Sequence, residues 1–455
     1  MRITKLTIKS YKNLQDFSWE LNADYPVAVI VGKNGSGKTN LLEAIIMIFQ
    51  DLQLYDGESK TNSLPKFEFE LEYLHQDDKI NIRNNGKLEI TKNGEKVPLS
   101  QIETLRQDAF QRENILPKSI FAYYAGTSNR LKDLTQKSIS QFSKSYRQTD
   151  LQHSISQPIF YYEPIHYRII FLSLLLSVLP DIKDDFLAND LGIGELESII
   201  FSIAKRPNEK DFSESPVVLQ RILQFIRSIA DEESEERSQL KFTVSGENLR
   251  EKFLESFSGE SDFFQQLNNL ALAEYLNNIE IKFKKDTEKM LEFADLSEGE
   301  WQRIVIRGTM EIFRGEEILF LLDEPDTFAH PRWQWEFVPD LKEAIGENKN
   351  MQAIFITHSP LVLSSVEKNA FFMEAGQIHL LQENFGQDAN MSLAKMDVNP
   401  QMEQVVDDFR HYYSLIKDGK GESKNAVKER KRLEVIYGLN HEKFDSADIM
   451  ISFYK

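Results

Sequence analysis

Between Val27 and Ile45 the chain passes through an apolar strand, a glycine-rich loop and a helix, and no other stretch limits the possible fold so narrowly. Val27-Ala28-Val29-Ile30-Val31 offers no polar face, so it suits a strand covered on both sides. Gly32, Gly37, Lys38 and Thr39 then fill the pattern of Gly, four free positions and Gly-Lys-Ser/Thr, in the strand-to-helix setting that gives the pattern its meaning. Glycines let the backbone wrap close to a polyphosphate, so that successive amide N–H groups and the positive end of the following helix face its charge. The candidate phosphate-binding set is Gly32, Lys33, Asn34, Gly35, Ser36, Gly37, Lys38, Thr39 and Asn40. Lys38 is placed to reach the β- and γ-phosphates, and Thr39 to put its hydroxyl on Mg²⁺.

A second element answers the first. Ile318-Leu319-Phe320-Leu321-Leu322 is fully apolar and ends in Asp323 and Glu324, a run that suits a central parallel strand. Asp323 at the strand tip is the second candidate metal residue, and Glu324 the candidate catalytic residue that orients a water or takes its proton. Ahead of this strand stands Leu296-Ser297-Glu298-Gly299-Glu300-Trp301-Gln302, which reads as a helix start. Ser297 as N-cap and Glu300 three positions on form a capping box. A third apolar strand, Ile354-Phe355-Ile356, runs into Thr357-His358-Ser359-Pro360, and Asp326-Thr327-Phe328-Ala329-His330-Pro331 follows the acid pair.

The order of these five elements resembles the non-transporter ABC-type ATPases of the SMC, RecF and OLD kind, over Met1 to about Asn129 and Lys289 to about Leu381. The resemblance implies an α/β fold: a P-loop NTPase head of ABC type with an antiparallel β-subdomain and a helical insertion. It implies ATP and Mg²⁺ as cofactors, and His358 as a contact to the γ-phosphate. Ser297, Gly299 and Glu300 would belong to a signature motif that meets the nucleotide of a second subunit, giving a head-to-tail dimer or a higher oligomer built from such dimers. Within the group the chain looks most like the ATPases of the Septu antiphage defence system, the PtuA family, through Ser10-Tyr11-Lys12-Asn13-Leu14, Glu300, the Asp323-Glu324-Pro325 block with His330-Pro331, and Thr357-His358-Ser359-Pro360. That likeness implies a separate HNH-type, PtuB-like nuclease subunit under ATP control. A RecF-like repair ATPase that binds DNA on closure, and a low-turnover ATP-sensing scaffold, are the alternatives; contact with DNA or RNA stays open. Glu298 and Glu300 stand where transport ATPases have Gly and Gln. No glutamine is assigned to the water-positioning loop after the strand Phe121–Tyr124, where Gln136 and Gln141 follow.

Organisation follows from patterning. Residues 1–129 and 289–385 form two lobes of one head, the first with half-buried strands around Ile3, Leu6, Ile8, Phe17 and Trp19 and an alternating run Phe67–Tyr73. Residues 130–288 read as a helical insertion, with Ile165–Leu179, Leu191–Ala204 and Val217–Ala230 as helices and the acidic run Asp231–Arg237 as a solvated loop or a recognition surface. Residues 386–455 read as a helical tail, too short for the carboxylate-rich nuclease domain that follows the head in OLD proteins. The chain has no cysteine, which excludes disulfides, thiolate metal sites and cysteine nucleophiles, and its eight histidines are too scattered for an HNH site. A formal net charge of -18 argues against indiscriminate nucleic-acid binding. No secretory signal or membrane-length apolar run is expected, and the cytoplasm is the expected compartment.

Overall fold

Val27–Gly32, Ile318–Asp323 and Met351–Ile356 are buried at every residue, and strands without a wet face must lie inside a sheet covered on both sides. They do, in a computed structural model that describes residues 1–53, 65–99, 115–126, 129–146, 157–204, 215–236, 239–247, 249–286, 289–347, 349–398 and 403–454. In chain order the first elements are β1 (Arg2–Tyr11), β2 (Leu14–Glu20), β3 (Val27–Gly32), α1 (Lys38–Gln53), β4 (Phe69–His75), β5 (Asp78–Asn84), β6 (Leu88–Lys92), β7 (Glu95–Lys96), β8 (Ser119–Tyr124), α2 (Arg130–Tyr146), β9 (Ile159–Tyr161) and α3 (Pro164–Leu176). A π-helical segment, Asp181–Asp190, leads to β10 (Ile193–Ala204), α4 (Val217–Ile229), β11 (Glu232–Glu236), β12 (Gln239–Ser245), α5 (Leu249–Ser256), α6 (Glu260–Leu272), β13 (Leu276–Lys285) and β14 (Lys289–Glu292). The chain continues with α7 (Glu298–Ile312), β15 (Ile318–Asp323), α8 (Pro331–Ile345), β16 (Met351–Ile356), α9 (Pro360–Ser364), β17 (Ala370–Glu374), β18 (Gln377–Leu381), and α10 (Ala389–Lys395), α11 (Glu403–Lys417), α12 (Lys424–Tyr437) and α13 (Glu442–Phe453).

The central sheet has seven strands in the order β18-β17-β3-β16-β15-β8-β9, parallel throughout except for β18 at one edge. Its register sets Asp323 level with Ile356 on one side and Tyr124 on the other, and Ile356 level with Ile30. The loops after Gly32, Asp323 and Ile356 therefore open at the same carboxyl edge, where open α/β sheets hold their ligands. A six-stranded antiparallel sheet, β2-β1-β4-β5-β6-β7, covers the other side of α1. Ile3, Leu6, Ile8, Trp19, Leu71 and Tyr73 share one core with Leu41, Ile45, Ile48 and Phe49 of α1.

Residues 130–288 hold more strand than their apolar runs suggest. α3 and α4 lie where helical periodicity places them, but Leu191–Ala204, read from sequence as a helix, is strand β10. Ile199, Phe201 and Ile203 are buried two residues apart and rich in β-branched side chains, so period two prevails over the short apolar run. β10 is the centre of a five-stranded antiparallel sheet, β11-β12-β10-β13-β14. The acidic run is not a loop: Glu232–Glu236 is its exposed edge strand, where Arg227 and Lys241 pair with Glu233 and Glu236. Carboxylates along an unpaired edge discourage a second chain from adding to it. β9, within the same range, extends the central sheet.

The described chain divides into two compact units, Met1–Asp388 and Ala389–Lys455. The smaller unit packs Phe409, Tyr412, Ile416, Leu433, Phe444 and Ala447 into a core of its own.

In the larger unit Phe121 on β8 is fully buried with its ring 4.6 Å from Phe160, 5.0 Å from Phe313 and 5.4 Å from Phe320, joining two sheet neighbours to the end of α7. Phe121→Ala is expected to cost this unit about 3–5 kcal/mol, seen as a lower urea midpoint at unchanged slope. A loss under about 1 kcal/mol would mean that the cluster repacks without a cavity.

Candidate functional site

The loop between β3 and α1 takes its shape from close backbone approach. Gly32 (φ +153°) leaves no room for a Cβ, which would lie 2.2 Å from the Met373 carbonyl oxygen, and one at Gly37 (φ +110°) would lie 2.7 Å from Asn13 Oδ1. Asn13, in the turn between β1 and β2, braces the loop: its Nδ2 donates to the Gly35 carbonyl at 3.3 Å and its Oδ1 accepts from Asn40 Nδ2 at 2.7 Å. Inside this frame Lys38 Nζ donates to the carbonyls of Gly32 (2.8 Å) and Lys33 (3.0 Å). Burial lowers its pKa, while the carboxylates of Asp323 and Glu324 hold it up. The Ser36 hydroxyl is buried with no hydrogen-bond partner.

Thr39 Oγ1, in the first turn of α1, donates to Asp323 Oδ2 at 2.7 Å. Burial pushes the Asp323 carboxyl up to about 6, against the Thr39 donation that lowers it. Glu324 turns away in the left-handed region (φ +56°), which carries its side chain out of the strand line to the mouth of the site. There its Oε1 lies 3.4 Å from His358 Nε2. Burial, then the charge of Lys38, lowers the His358 pKa, so the imidazole is neutral at neutral pH and can both donate and accept a hydrogen bond. The two loops are tied behind these residues. Thr357 Oγ1 donates to Asp326 Oδ2 at 2.7 Å, the Ser359 amide donates to Thr357 Oγ1 at 2.9 Å, and Ser359 Oγ donates to Gln334 Oε1 at 2.7 Å. Burial raises the Asp326 carboxyl to about 6 as well.

Asn34 to Asn40, Asp323, Glu324 and His358 line one cavity of about 150 Å³, while Gly32 and Lys33, whose carbonyls Lys38 holds, are not among its lining residues. One further residue lines it that sequence reading passed over: Arg130, at the start of α2. No motif surrounds Arg130, and only the packing of α2 on α1 brings it there. Gln136 is exposed on α2 and lines no part of the cavity; the Gln141 side chain lies outside the described residues.

Ser297, Gly299 and Glu300 stand apart from this cavity. Ser297 caps α7 in the expected box: its Oγ accepts from the Glu300 amide at 3.4 Å, and Glu300 Oε2 accepts from the Ser297 amide at 2.9 Å. Glu300 also pairs with Lys285. Burial works to raise the Glu300 pKa, but donation from Lys285 and Ser297 prevails and holds it below the usual carboxylate range. At Gly299 a Cβ would crowd the Phe328 carbonyl and the Trp333 ring, both at 3.0 Å, so close packing against the loop after β15 explains the glycine. Ser297 and Glu298 are exposed. Gln302, one turn on, is buried; its Nε2 donates to the Tyr123 hydroxyl at 3.2 Å and its Oε1 accepts from the Phe328 amide at 3.3 Å, joining α7 to β8 and to the loop after β15.

The cavity fits a Mg²⁺-bound triphosphate. Thr39 and Asp323 supply adjoining hard oxygens, the donor type Mg²⁺ takes, Lys38 offers a cation that donates to backbone carbonyls, and Ser36 offers a buried hydroxyl without a hydrogen-bond partner. The metal would be held by Thr39 and Asp323 and would supply charge neutralisation to the phosphates. Lys38 would exchange two carbonyls for phosphate oxygens, Glu324 would orient a water and hold its proton, and His358 would keep Glu324 in place by their contact.

The family described as "AAA ATPase domain" (AAA_15) matches residues 1–363. Among individual proteins, the chain is 23% identical to "Retron Vc95 probable ATPase" of Vibrio cholerae serotype O1 biovar El Tor, over 96% of this chain and 88% of that one. It is 32% identical to "DNA replication and repair protein RecF" of Bacillus mycoides over 106 residues, 23% of this chain and 27% of the other. Among solved structures, the SMC head domain from Thermotoga maritima aligns with 84% of this chain and 99% of its own at 18% identity and a TM-score of 0.35.

If Asp323 holds Mg²⁺ it must be ionised, so affinity for the Mg²⁺-nucleotide is expected to fall as pH drops through about 6, the direction set by a raised carboxyl that protonates early. Calorimetric titrations from pH 8 to pH 5 test this, and Asp323→Asn should bind weakly with the pH dependence gone. Glu324→Gln is expected to keep nucleotide affinity while hydrolysing ATP at least about a hundredfold more slowly, because the amide keeps the shape and loses the proton acceptor. A wild-type rate in that variant would remove Glu324 from the role of base.

Proposed function

The chain belongs to the AAA_15 family of ATPase domains, and on that premise we propose that it is the ATP-binding and ATP-hydrolysing, ABC-type subunit of an antiphage defence complex. Two copies close head to tail around two ATP–Mg²⁺, and the closed state controls a separate HNH-type nuclease. In this reading residues 1–129 and 289–385 are the two lobes of the head, 130–288 the insertion upon it and 386–455 the tail. Glu324 is the base and His358 the γ-phosphate contact.

One observation carries the dimer: the α7 N-terminus, exposed at Ser297 and Glu298 with Gly299 buried beneath, lies outside the nucleotide cavity of its own chain. Such a terminus favours an anion, and the Glu300 carboxylate beside it is already satisfied by Lys285 and the cap, so it competes less for those amides. A second copy's γ-phosphate is the ligand that would use it. The defence setting is supported by similarity along nearly the whole chain to a retron ATPase, together with the Septu-like motifs. No single described helix is long and apolar enough to cross a membrane, in keeping with a cytoplasmic complex. A second reading, a RecF-like ATPase that clamps DNA, draws on the 106-residue match to RecF. DNA-stimulated hydrolysis without any nuclease partner would favour it over the first.

Ser297→Arg tests the composite site. ATP binding by the monomer should persist within about twofold, because the P-loop is untouched, while ATP-dependent dimerisation measured by light scattering on Glu324→Gln background should be lost. Normal dimerisation would reduce Ser297 to a helix cap and end the head-to-tail reading.

A further inference from the structure

Arg130 begins α2 and reaches back to α1. Its Nη2 donates to Asn40 Oδ1 at 2.6 Å and lies 2.8 Å from Glu43 Oε1, while the side chain lines the nucleotide cavity beside Lys38, Asp323, Glu324 and His358. Neither partner depends on it. The buried Glu43 carboxylate also receives the Tyr11 hydroxyl at 3.2 Å and the Lys12 ammonium, and Asn40 keeps its bond to Asn13. The Arg130 side chain is 47% exposed, so it can swing without leaving a void.

Charge in the cavity calls for such a group. Asp323 and Glu324 already outnumber Lys38 among its lining residues, and a triphosphate adds more negative charge than one Mg²⁺ neutralises. A guanidinium presents a planar fork of donors that matches terminal phosphoryl oxygens and never loses its proton. Building on the ATP-binding reading above, we propose that Arg130 is a catalytic residue that reads the third phosphate. With a triphosphate bound it leaves Glu43 and Asn40 and engages the terminal phosphoryl oxygens; with a diphosphate it returns to them. The movement is coupled to the rest of the insertion, because α2 is fastened at both ends: Gln50 Nε2 of α1 donates to the Leu134 carbonyl at 3.0 Å, and Ser143 Oγ donates to the Leu272 carbonyl of α6 at 2.6 Å.

The test uses the full chain with Mg²⁺-ATPγS and Mg²⁺-ADP in calorimetric titrations, and steady-state ATP hydrolysis. Arg130→Ala is expected to lose about tenfold or more in ATPγS affinity and in kcat, with ADP affinity held within about twofold, and Arg130→Lys to recover part of both. Glu43→Gln separates this from a role in merely holding α2 on α1. Freed of its ion pair, Arg130 should preserve or increase the preference for the triphosphate. The proposal is overturned if Arg130→Ala keeps the wild-type ratio of ATPγS to ADP affinity and the wild-type kcat, or if Glu43→Gln reproduces the loss seen in Arg130→Ala. Wild-type protein that binds neither nucleotide would overturn the ATP reading first and this proposal with it, an outcome distinct from wild-type discrimination that survives Arg130→Ala.

Discussion

Thr39 Oγ1 donating to Asp323 Oδ2 is the contact on which the rest of the nucleotide site depends, since it joins residues 284 positions apart across two strands that are not neighbours. β3 and β15 are separated by β16, and the three line up only because their parallel register is continuous from Ile30 through Ile356 to Asp323. Slipping one strand by a residue would turn each of its side chains to the other face and pull the hydroxyl from the carboxylate. The burial of three fully apolar strands therefore does more than stabilise the core. It fixes the Thr39 hydroxyl and the Asp323 carboxylate, from two distant segments, at hydrogen-bonding distance.

Around that contact the site is braced from three directions. Asn13, delivered by the antiparallel layer, holds the phosphate loop from outside. The Asp326–Thr357–Ser359–Gln334 chain holds the acid and histidine loops together from behind, and Arg130 closes the mouth from the segment that follows β8. Buried polar chains of this sort are costly unless every member is paired, and when paired they rigidify what they join. Asp323 and Asp326, both raised by burial toward about 6, show that cost in their pKa values, and a bound cation would lower that of Asp323 again.

α7 distributes three contacts from one helix. Its cap faces outward, Gly299 packs against the loop after β15, and Gln302 bonds both to that loop and to the end of β8. A ligand pressing on the cap would be felt at Phe328 and Tyr123, the first four residues after Glu324 and the second on the strand that precedes Arg130. The α7 cap and the nucleotide cavity are in this way linked through shared contacts, although Ser297 and Gly299 line no part of the cavity.

Sequence alone determined the pieces that local chemistry specifies. Glycine spacing requires a phosphate loop, runs without a polar face require central parallel strands, Ser297 with Glu300 requires a helix start, and each of these forms from a few neighbouring residues. Period-two patterning also marks the antiparallel layer, but Leu191–Ala204 stays ambiguous in sequence, because a short apolar run suits helix and strand alike and only pairing with β12 and β13 decides. Tertiary structure decided what no local rule encodes: that Asn13 braces the loop, that Glu300 is occupied by Lys285, that Gln302 ties α7 to two other elements, and that Arg130 lies in the cavity. These depend on which distant segments packing brings within a few ångströms, and an arginine at the head of an ordinary helix looks the same in sequence whether it faces water or a phosphate.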